Sequence, residues 1–412
     1  MPREQFFWRN EPITVRRLKD ILRKVRQRGG TWLAKRLLKE CRIPETTEGI
    51  YIRRVIVGLY NAVLIMFSPI IVLTEMCFRR DFKTLHYFYD LEVSPITFDI
   101  ADYLVMAEME RRRRGYDHFY VYIVPGRNGG LRDEGETYEK LVDPTNRLWR
   151  LSNLVIPMFG LFPSCSGYSV CRSRQQATLL RILATRSAFP KTYWPAFPIG
   201  LFRRSILDAA RRDHAVFPAM KSPEQSLRYV RQWLHTHVAD KKAVTITVRQ
   251  YGFEPLRNSN LEAWAEFARS LDPDQYAPIF LLDTDVAMDT PPDAIREFCV
   301  FREGPWNLGL RSALYEAAHI NLAIVHGPTE LLWYNDRCRY VLFVPPVNTG
   351  QSELKTMRAN GFVPGESLPF ATPFQKWVWE QDDLPVIQRE FTRMCDAIVS
   401  HTGLPDRELN PA

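Results

Sequence analysis

The chain predicts an α/β architecture: two doubly wound, Rossmann-like parallel sheets facing a cleft, preceded by a basic amphipathic and apolar helical segment. Three observations carry this. From Thr84 onward, short apolar runs alternate with helix-period segments, the pattern of parallel strands joined by helical crossovers. A stretch holding Pro190, Pro195, Pro198 and Pro218 separates two such sets and reads as a junction or linker. With 412 residues, 46% hydrophobic and 25% charged, the chain is a folded protein of several domains, which excludes a disordered chain and a polytopic membrane protein. The expected divisions are 1–83 for the basic and apolar segment, 84–220 for a first α/β domain with its Pro-rich junction, and 221–412 for a second.

The net charge of +8 is not spread evenly. Residues 1–54 hold 15 Lys/Arg against 6 Asp/Glu, a net of +9, and the remaining residues hold 40 against 41, a net of −1. In this arm Val15, Leu18, Leu22 and Val25 recur at helical spacing among arginines and lysines, Gly29 and Gly30 interrupt the pattern, and Trp32, Leu33, Leu37 and Leu38 resume it. A basic amphipathic segment of this kind suits an anionic membrane surface, each basic residue near the headgroups contributing about 1 kcal/mol. The plain alternative is a solvated helix, or one that grips nucleic acid. A nucleic-acid partner is not expected, because the near-neutral body carries no basic stripe.

Val55 to Leu73 is 19 residues without a charge, flanked by Arg53 and Arg54 before it and by Arg79, Arg80 and Lys83 after it. Basic residues on both sides favour the cytoplasmic side for both ends, and Pro69 interrupts helical hydrogen bonding. A re-entrant helix satisfies both conditions; a buried core helix and a true span are the alternatives. The Ser68-Pro69 break resembles the membrane helix of monotopic phosphoglycosyl transferases. The seven scattered cysteines form no metal or disulfide pattern, and the N-terminus lacks a secretory signal. Together these features place the protein at the cytoplasmic face of the inner membrane, monotopic or peripheral.

In the body, residues 85–91 and 118–126 read as strands around a helix ending near Gly115, and the second strand enters the Gly-rich loop RNGGLRDEG. The second set runs through a strand at 244–248, a helix at 260–271, the strand YAPIFLLDTD, a short strand candidate in IREFCVF, the helix LRSALYEAAHI, a strand leading into HGPTELLW, and the strand YVLFVPP. Ligands in such sheets bind beyond the carboxyl ends of the strands.

Four constellations lie at such ends. Arg249 follows the first strand of the second set, with Arg257, Asn258 and Asn260 close behind; two guanidinium groups and two amides before a helix suit phosphate oxygens. The alternative is that Asn258 to Asn260 cap the helix and Arg257 is solvated. His326-Gly327-Pro328-Thr329-Glu330 joins a strand to a helix. There the glycine permits close backbone approach to a diphosphate, and Glu330 is placed to accept from ribose hydroxyls; a plain turn is the alternative, and His326 alone reads as structural. Asp283-Thr284-Asp285 resembles the metal-binding Asp-x-Asp of one glycosyltransferase class, but Arg249 and helix ends can neutralise phosphate unaided, so neither a metal nor a cofactor is expected. Thr372-Pro373-Phe374-Gln375 supplies Gln375 as a reader of sugar hydroxyls, or else simply caps a C-terminal helix.

Arg249, the Gly327-Pro328-Thr329 turn and the strand YVLFVPP make the second half resemble the nucleotide-sugar-binding domain of GT-B glycosyltransferases of heptosyltransferase-like and fucosyltransferase-like type. The segments RQYGFEPLRNSNLEAWAEF, GPTELLW and TPFQKWVWEQDD resemble parts of bacterial proteins encoded beside surface-polysaccharide genes. Thr247 stands where some fucosyltransferases have the histidine of a His-x-Arg pair, a departure from that pattern. The resemblance implies a glycosyltransferase that moves sugar from a nucleotide-sugar donor to a glycan or lipid-linked acceptor. It also implies an acceptor side in the first half, at Gly126, Asn128 and Gly129, with Asp90 or Glu92 as the base that deprotonates the acceptor hydroxyl. The alternatives are a non-catalytic scaffold of envelope-polysaccharide assembly and a monotopic phosphoglycosyl transferase using Asp133-Glu134.

Overall fold

The structure, a computed structural model, describes residues 23, 25–27, 29–32, 47–67, 69–70, 73, 83–127, 129–133, 136–201, 203–213, 219–345 and 354–401. Two compact units divide the chain without being contiguous in sequence. The first takes Met1–Pro95, Ala107–Lys140 and Ser164–Leu201; the second takes Ile96–Met106, Leu141–Pro163 and Phe202–Ala412.

In the first unit, helix α1 (Thr47–Met66) precedes strand β1 (Thr84–Asp90). Helix α2 (Ile100–Arg113), of which only the part from Ala107 belongs to this unit, leads to strand β2 (His118–Val124). Strand β3 (Cys165–Val170), helix α3 (Arg174–Leu183) and strand β4 (Ala188–Phe189) complete the sheet, whose order is β3-β2-β1-β4 with every pair parallel. Every residue of β1 is buried, as a central parallel strand covered on both faces requires.

In the second unit, helices α4 (Arg204–Asp213) and α5 (Glu224–Val238) lead into strand β5 (Lys242–Thr247). Helix α6 (Leu261–Ser270), strand β6 (Tyr276–Leu281) and strand β7 (Cys299–Val300) follow. Helix α7 (Leu308–Ala317), strand β8 (Ile320–Ile324), strand β9 (Tyr340–Phe343), strand β10 (Gln375–Val378) and helix α8 (Leu384–His401) close the unit. The order β10-β9-β8-β5-β6-β7 is parallel throughout. Val244, Ile246, Trp264, Phe267, Phe343 and Phe391 belong to one core that joins the sheet to α6 and α8, each such side chain stabilising the fold by about 1.5–3 kcal/mol on burial.

The predicted α/β class with parallel sheets is the observed one. Helix α4 forms inside the stretch whose prolines predict broken structure, since its residues 204–213 contain no proline. Strands β3, β4 and β10 escape the sequence reading. Strand β3 (CSGYSV) is short and mostly polar, and Gln375 opens β10 where capping residues are expected.

Helix α1 ends at Met66, three residues before Pro69, which has no backbone donor. On one face, Arg53, Val57 and Tyr60 lie at i, i+4 and i+7. Val57 is buried, and Arg53 donates to the carbonyls of Pro198 (3.0 Å) and Phe197 (2.5 Å). Tyr60 meets Trp194 edge-on at 4.6 Å. The other face exposes Val55, Leu59 (66%), Val63 and Met66 (70%), continued by Phe67, Ile70 and Leu73. That exposure overturns the buried-core alternative. Among the described residues no helix is long and apolar enough to cross a membrane. Ser68 and most of the expected return limb lie outside the described residues, as does most of the basic arm.

Candidate functional site

Each sheet reverses its winding at one point. In the second unit the chain runs outward from β5 through β6 to β7, then returns to β8 on the other side of β5, so the crevice of a doubly wound sheet falls at the carboxyl ends of β5 and β8. Arg249 and His326 occupy those two ends. Thr245, Thr247 and Asn321 fix the strands beneath them: Thr245 Oγ1 donates to Asn321 Oδ1 at 2.6 Å, and Thr247 Oγ1 lies 2.9 Å from the Tyr315 hydroxyl.

Arg249 is buried and spends its guanidinium on its own loop. It donates to Asn258 Oδ1 (2.5 Å), the Glu254 carbonyl (3.0 Å) and the Phe253 carbonyl. Asn258 Oδ1 also accepts the Tyr251 amide, and its Nδ2 donates to the Tyr251 carbonyl. The phosphate contacts expected of Arg249 and Asn258 therefore give way to loop-shaping, although the Arg249 charge stays in place. Asn260 is the N-cap of α6, its side chain accepting from the Ala263 amide, while its own amide donates to Asp382. Capping is its observed role.

Arg257 is different. One guanidinium nitrogen meets Glu254 at 2.8 Å and another the Val325 carbonyl at 3.3 Å, but its Nε is buried without a partner. Arg311 Nε and His326 Nε2 are also buried and unpartnered. His326 is 7% exposed. Burial, reinforced by the positive charges of Arg311, Arg249 and Arg257, pushes its imidazole down to about 3 against the pull of the Ile324 carbonyl. The ring is neutral near pH 7. Nδ1 lies 2.7 Å from that carbonyl and so carries the proton, leaving the Nε2 lone pair as an acceptor. Asp283, at the end of β6, accepts the Gln250 amide at 2.7 Å, and burial raises its carboxyl above the ordinary value. Asp285 is exposed in the following turn.

The turn after β8 needs its glycine: a Cβ on Gly327 would come within 2.9 Å of the Phe98 ring. Pro328 and Thr329 are buried, and Thr329 Oγ1 donates to the His326 carbonyl at 2.7 Å. Glu330, expected to meet ribose hydroxyls, is instead buried in an ionic cluster. Arg203 bonds to Glu330 (2.5 Å), Asp99 (2.7 Å) and Asp102, and Tyr334 donates to Asp102 at 2.5 Å. Burial raises the carboxyls of Asp102 and Glu330. The three carboxylates lie within 4.8 Å of one another, and Arg203 supplies the cation among them. Gln375 is also committed inward, donating to the carbonyls of Asn335 and Cys338, so it offers no amide to a sugar.

In the first unit the winding reverses between β1 and β4. Asp90, at the end of β1, is 1% exposed, and burial raises its carboxyl despite the opposing pull of Arg174. It takes both Nη atoms of Arg174 (2.9 and 2.8 Å), the Tyr193 hydroxyl (2.7 Å) and the Glu92 amide (2.9 Å). With four donors on two buried oxygens, Asp90 braces the site and is unavailable as an acceptor base. Glu92 is partly exposed and accepts from Arg127 through the backbone amide (2.6 Å) and the guanidinium (3.3 Å). Gly126 approaches Leu131 so closely that a Cβ would meet its carbonyl oxygen at 2.7 Å, and Gly129 has φ +61°. Asn128 lies outside the described residues. Gly126 lines a cavity of 620 Å³ with Arg127, Arg172, Ser173 and Arg174.

Sequence reasoning missed Arg172, Arg174, Tyr193, Arg203 and Arg311. One signal was available: Ser173-Arg174-Gln175-Gln176 has capping-box spacing, and Ser173 caps α3 by accepting from the Gln176 amide at 3.2 Å.

No protein-family model matches the chain, and no curated protein matches its sequence. Among solved structures it is similar to the E. coli ADP-heptose LPS heptosyltransferase II, with 9% identity over 78% of this chain and 99% of that one and a TM-score of 0.44. It is similar to a glycosyl transferase family 9 protein from Veillonella parvula, with 12% identity over 76% and 90% and a TM-score of 0.36. It is also similar to the wall teichoic acid polymerase TagF, with 11% identity over 94% and 93% and a TM-score of 0.29.

Proposed function

We propose that the chain is a glycosyltransferase whose second unit binds a nucleotide-sugar donor at the carboxyl ends of β5 and β8. The observation that carries this reading is the gathering of three buried, unpartnered polar atoms, Arg257 Nε, Arg311 Nε and His326 Nε2, around one switch point. Buried polar atoms without partners are uncommon, and three at one strand-end crevice are placed to be satisfied by a bound ligand. Two donors on cationic groups suit a diphosphate, and a neutral acceptor beside them suits a sugar or ribose hydroxyl.

In the reaction, the bond between the sugar and the diphosphate breaks, the acceptor oxygen bonds to the sugar carbon, and the acceptor proton passes to a base. Arg257, Arg311 and the buried charge of Arg249 favour the departing diphosphate. Glu92 is the base, since the Asp90 oxygens are saturated. Thermal-shift screening with nucleoside diphosphates tests the donor assignment. One of them is expected to stabilise the protein, and a lack of response to all of them would overturn it.

The proposed location is the cytoplasmic face of the membrane. The outer face of α1 offers apolar side chains to a bilayer, and the +9 arm that precedes Val55 complements anionic headgroups. The double variant Leu59→Glu/Met66→Glu is therefore expected to leave anionic vesicles on co-sedimentation. Unchanged binding would remove α1 from the docking surface. The acceptor is a glycan or lipid-linked glycan of the cell surface.

A further inference from the structure

The cavity in the first unit carries a charge that its own structure does not consume. Arg174 is neutralised by Asp90, and Arg127 is paired with Glu92. Arg172 is exposed at the rim, and its guanidinium has no partner among the described residues. Helix α3 begins in the same wall. Ser173 satisfies the Gln176 amide, while the amides of Arg174 and Gln175 have no acceptor within the helix. One surplus guanidinium and a positive helix end therefore face a cavity of 620 Å³, room enough for a phosphorylated sugar.

A second observation says where that ligand comes from. The loop Tyr193–Pro198 forms part of the cavity wall. On one side, Pro195 and Ala196 offer their carbonyls to Arg127, and Arg174 also donates to Pro195. On the other side, Phe197 and Pro198 receive Arg53 of α1, and Trp194 packs on Tyr60. The wall and the helix anchor are thus at most three residues apart, about 10 Å of chain. The apolar outer face of α1 begins two residues beyond Arg53, at Val55. With that face against a bilayer, the loop that lines the cavity is held by the helix that docks there.

We propose that this cavity recognises the phosphate of a membrane lipid-linked acceptor, with Arg172 as the charged contact. The inference rests on the reading of the first unit as the acceptor side and names the chemistry of that acceptor. The acceptor is then a membrane lipid that carries a phosphomonoester separate from the hydroxyl that takes the sugar, and the free oxygens of that phosphate are bound bidentately by a guanidinium.

The test uses the full chain with three vesicle types: phosphatidylcholine alone, phosphatidylcholine with phosphatidylglycerol (a phosphodiester), and phosphatidylcholine with phosphatidic acid (a phosphomonoester) at matched surface charge. Wild type is expected to prefer the monoester vesicles. Arg172→Ala should weaken that binding roughly tenfold, leave phosphatidylglycerol binding unchanged, and be partly rescued by Arg172→Lys. Equal binding to the two anionic vesicles, or an Arg172→Ala variant that keeps the preference, overturns the proposal. A separate arm adds inorganic phosphate without vesicles. If phosphate raises the melting temperature of wild type but not of Arg172→Ala while no vesicle preference exists, the cavity serves a soluble phosphate and the lipid source is wrong. Nucleoside diphosphate binding measured on the same samples distinguishes the outcomes: its persistence beside a failed vesicle arm rejects this site alone, and its absence rejects the transferase reading.

Discussion

Arg203→Ala is expected to destabilise the second unit by about 3–5 kcal/mol, the range for removing one partner from a buried ionic group. Its guanidinium bonds to three carboxylates at once and lies over the rings of Trp333 and Phe362, 5.2 and 5.8 Å from their centroids. Without it, the buried carboxyls of Asp102 and Glu330 face each other and Asp99 with no cation among them, and only the Tyr334 hydroxyl still donates to Asp102, in surroundings that already raise both. Urea unfolding at neutral pH reads the loss. The sign with pH follows from the direction of those shifts. Removing the cation raises both folded-state values further, so the variant takes up protons on folding over a wider range. The deficit relative to wild type therefore shrinks as pH falls toward the ordinary carboxylate value. Lysine at this position restores one charge but not the forked geometry, so Arg203→Lys should recover only part of the loss. A variant unfolding at the wild-type midpoint would mean that the cluster contributes nothing to the fold.

Glu92→Gln is expected to lower kcat by roughly 10²–10⁴, the usual contribution of a positioned general base. Glutamine is isosteric and keeps an oxygen for the Arg127 amide, so the loop from Gly126 should hold its shape. Nucleoside diphosphate affinity, which belongs to the second unit, should not change. Steady-state release of nucleoside diphosphate, with affinity measured separately, distinguishes lost chemistry from lost binding. Full turnover in Glu92→Gln would mean that the base lies elsewhere.

Local patterning in the sequence reveals much of this molecule. The apolar runs of β5, β6, β8 and β9 stand out because buried parallel strands need no alternation, and the periodicity of α6 and α7 is strong. The location of Arg249 and His326 at strand ends follows directly. What Arg249 does there does not: its partners are carbonyls of the next few residues, fixed by a loop conformation that includes Glu254 at φ 53°. Asp90 is legible as a carboxylate at a strand end, but Arg174 and Tyr193, 84 and 103 residues away, turn it into a brace. Periodicity carries no information on such pairings. Likewise the apolar run of α1 is plain in the sequence, whereas its division into a packed face and an exposed face depends on Arg53 finding the Phe197 and Pro198 carbonyls.

The central claim, a nucleotide-sugar site where β5 and β8 diverge, is tested most directly by calorimetric titration of the full chain and Arg257→Ala with each nucleoside diphosphate. The expected result is saturable binding of one nucleoside diphosphate by wild type, weakened roughly tenfold or more in the variant by loss of a charge-assisted contact. Wild type that binds none of them, or a variant that binds as tightly as wild type, would contradict it.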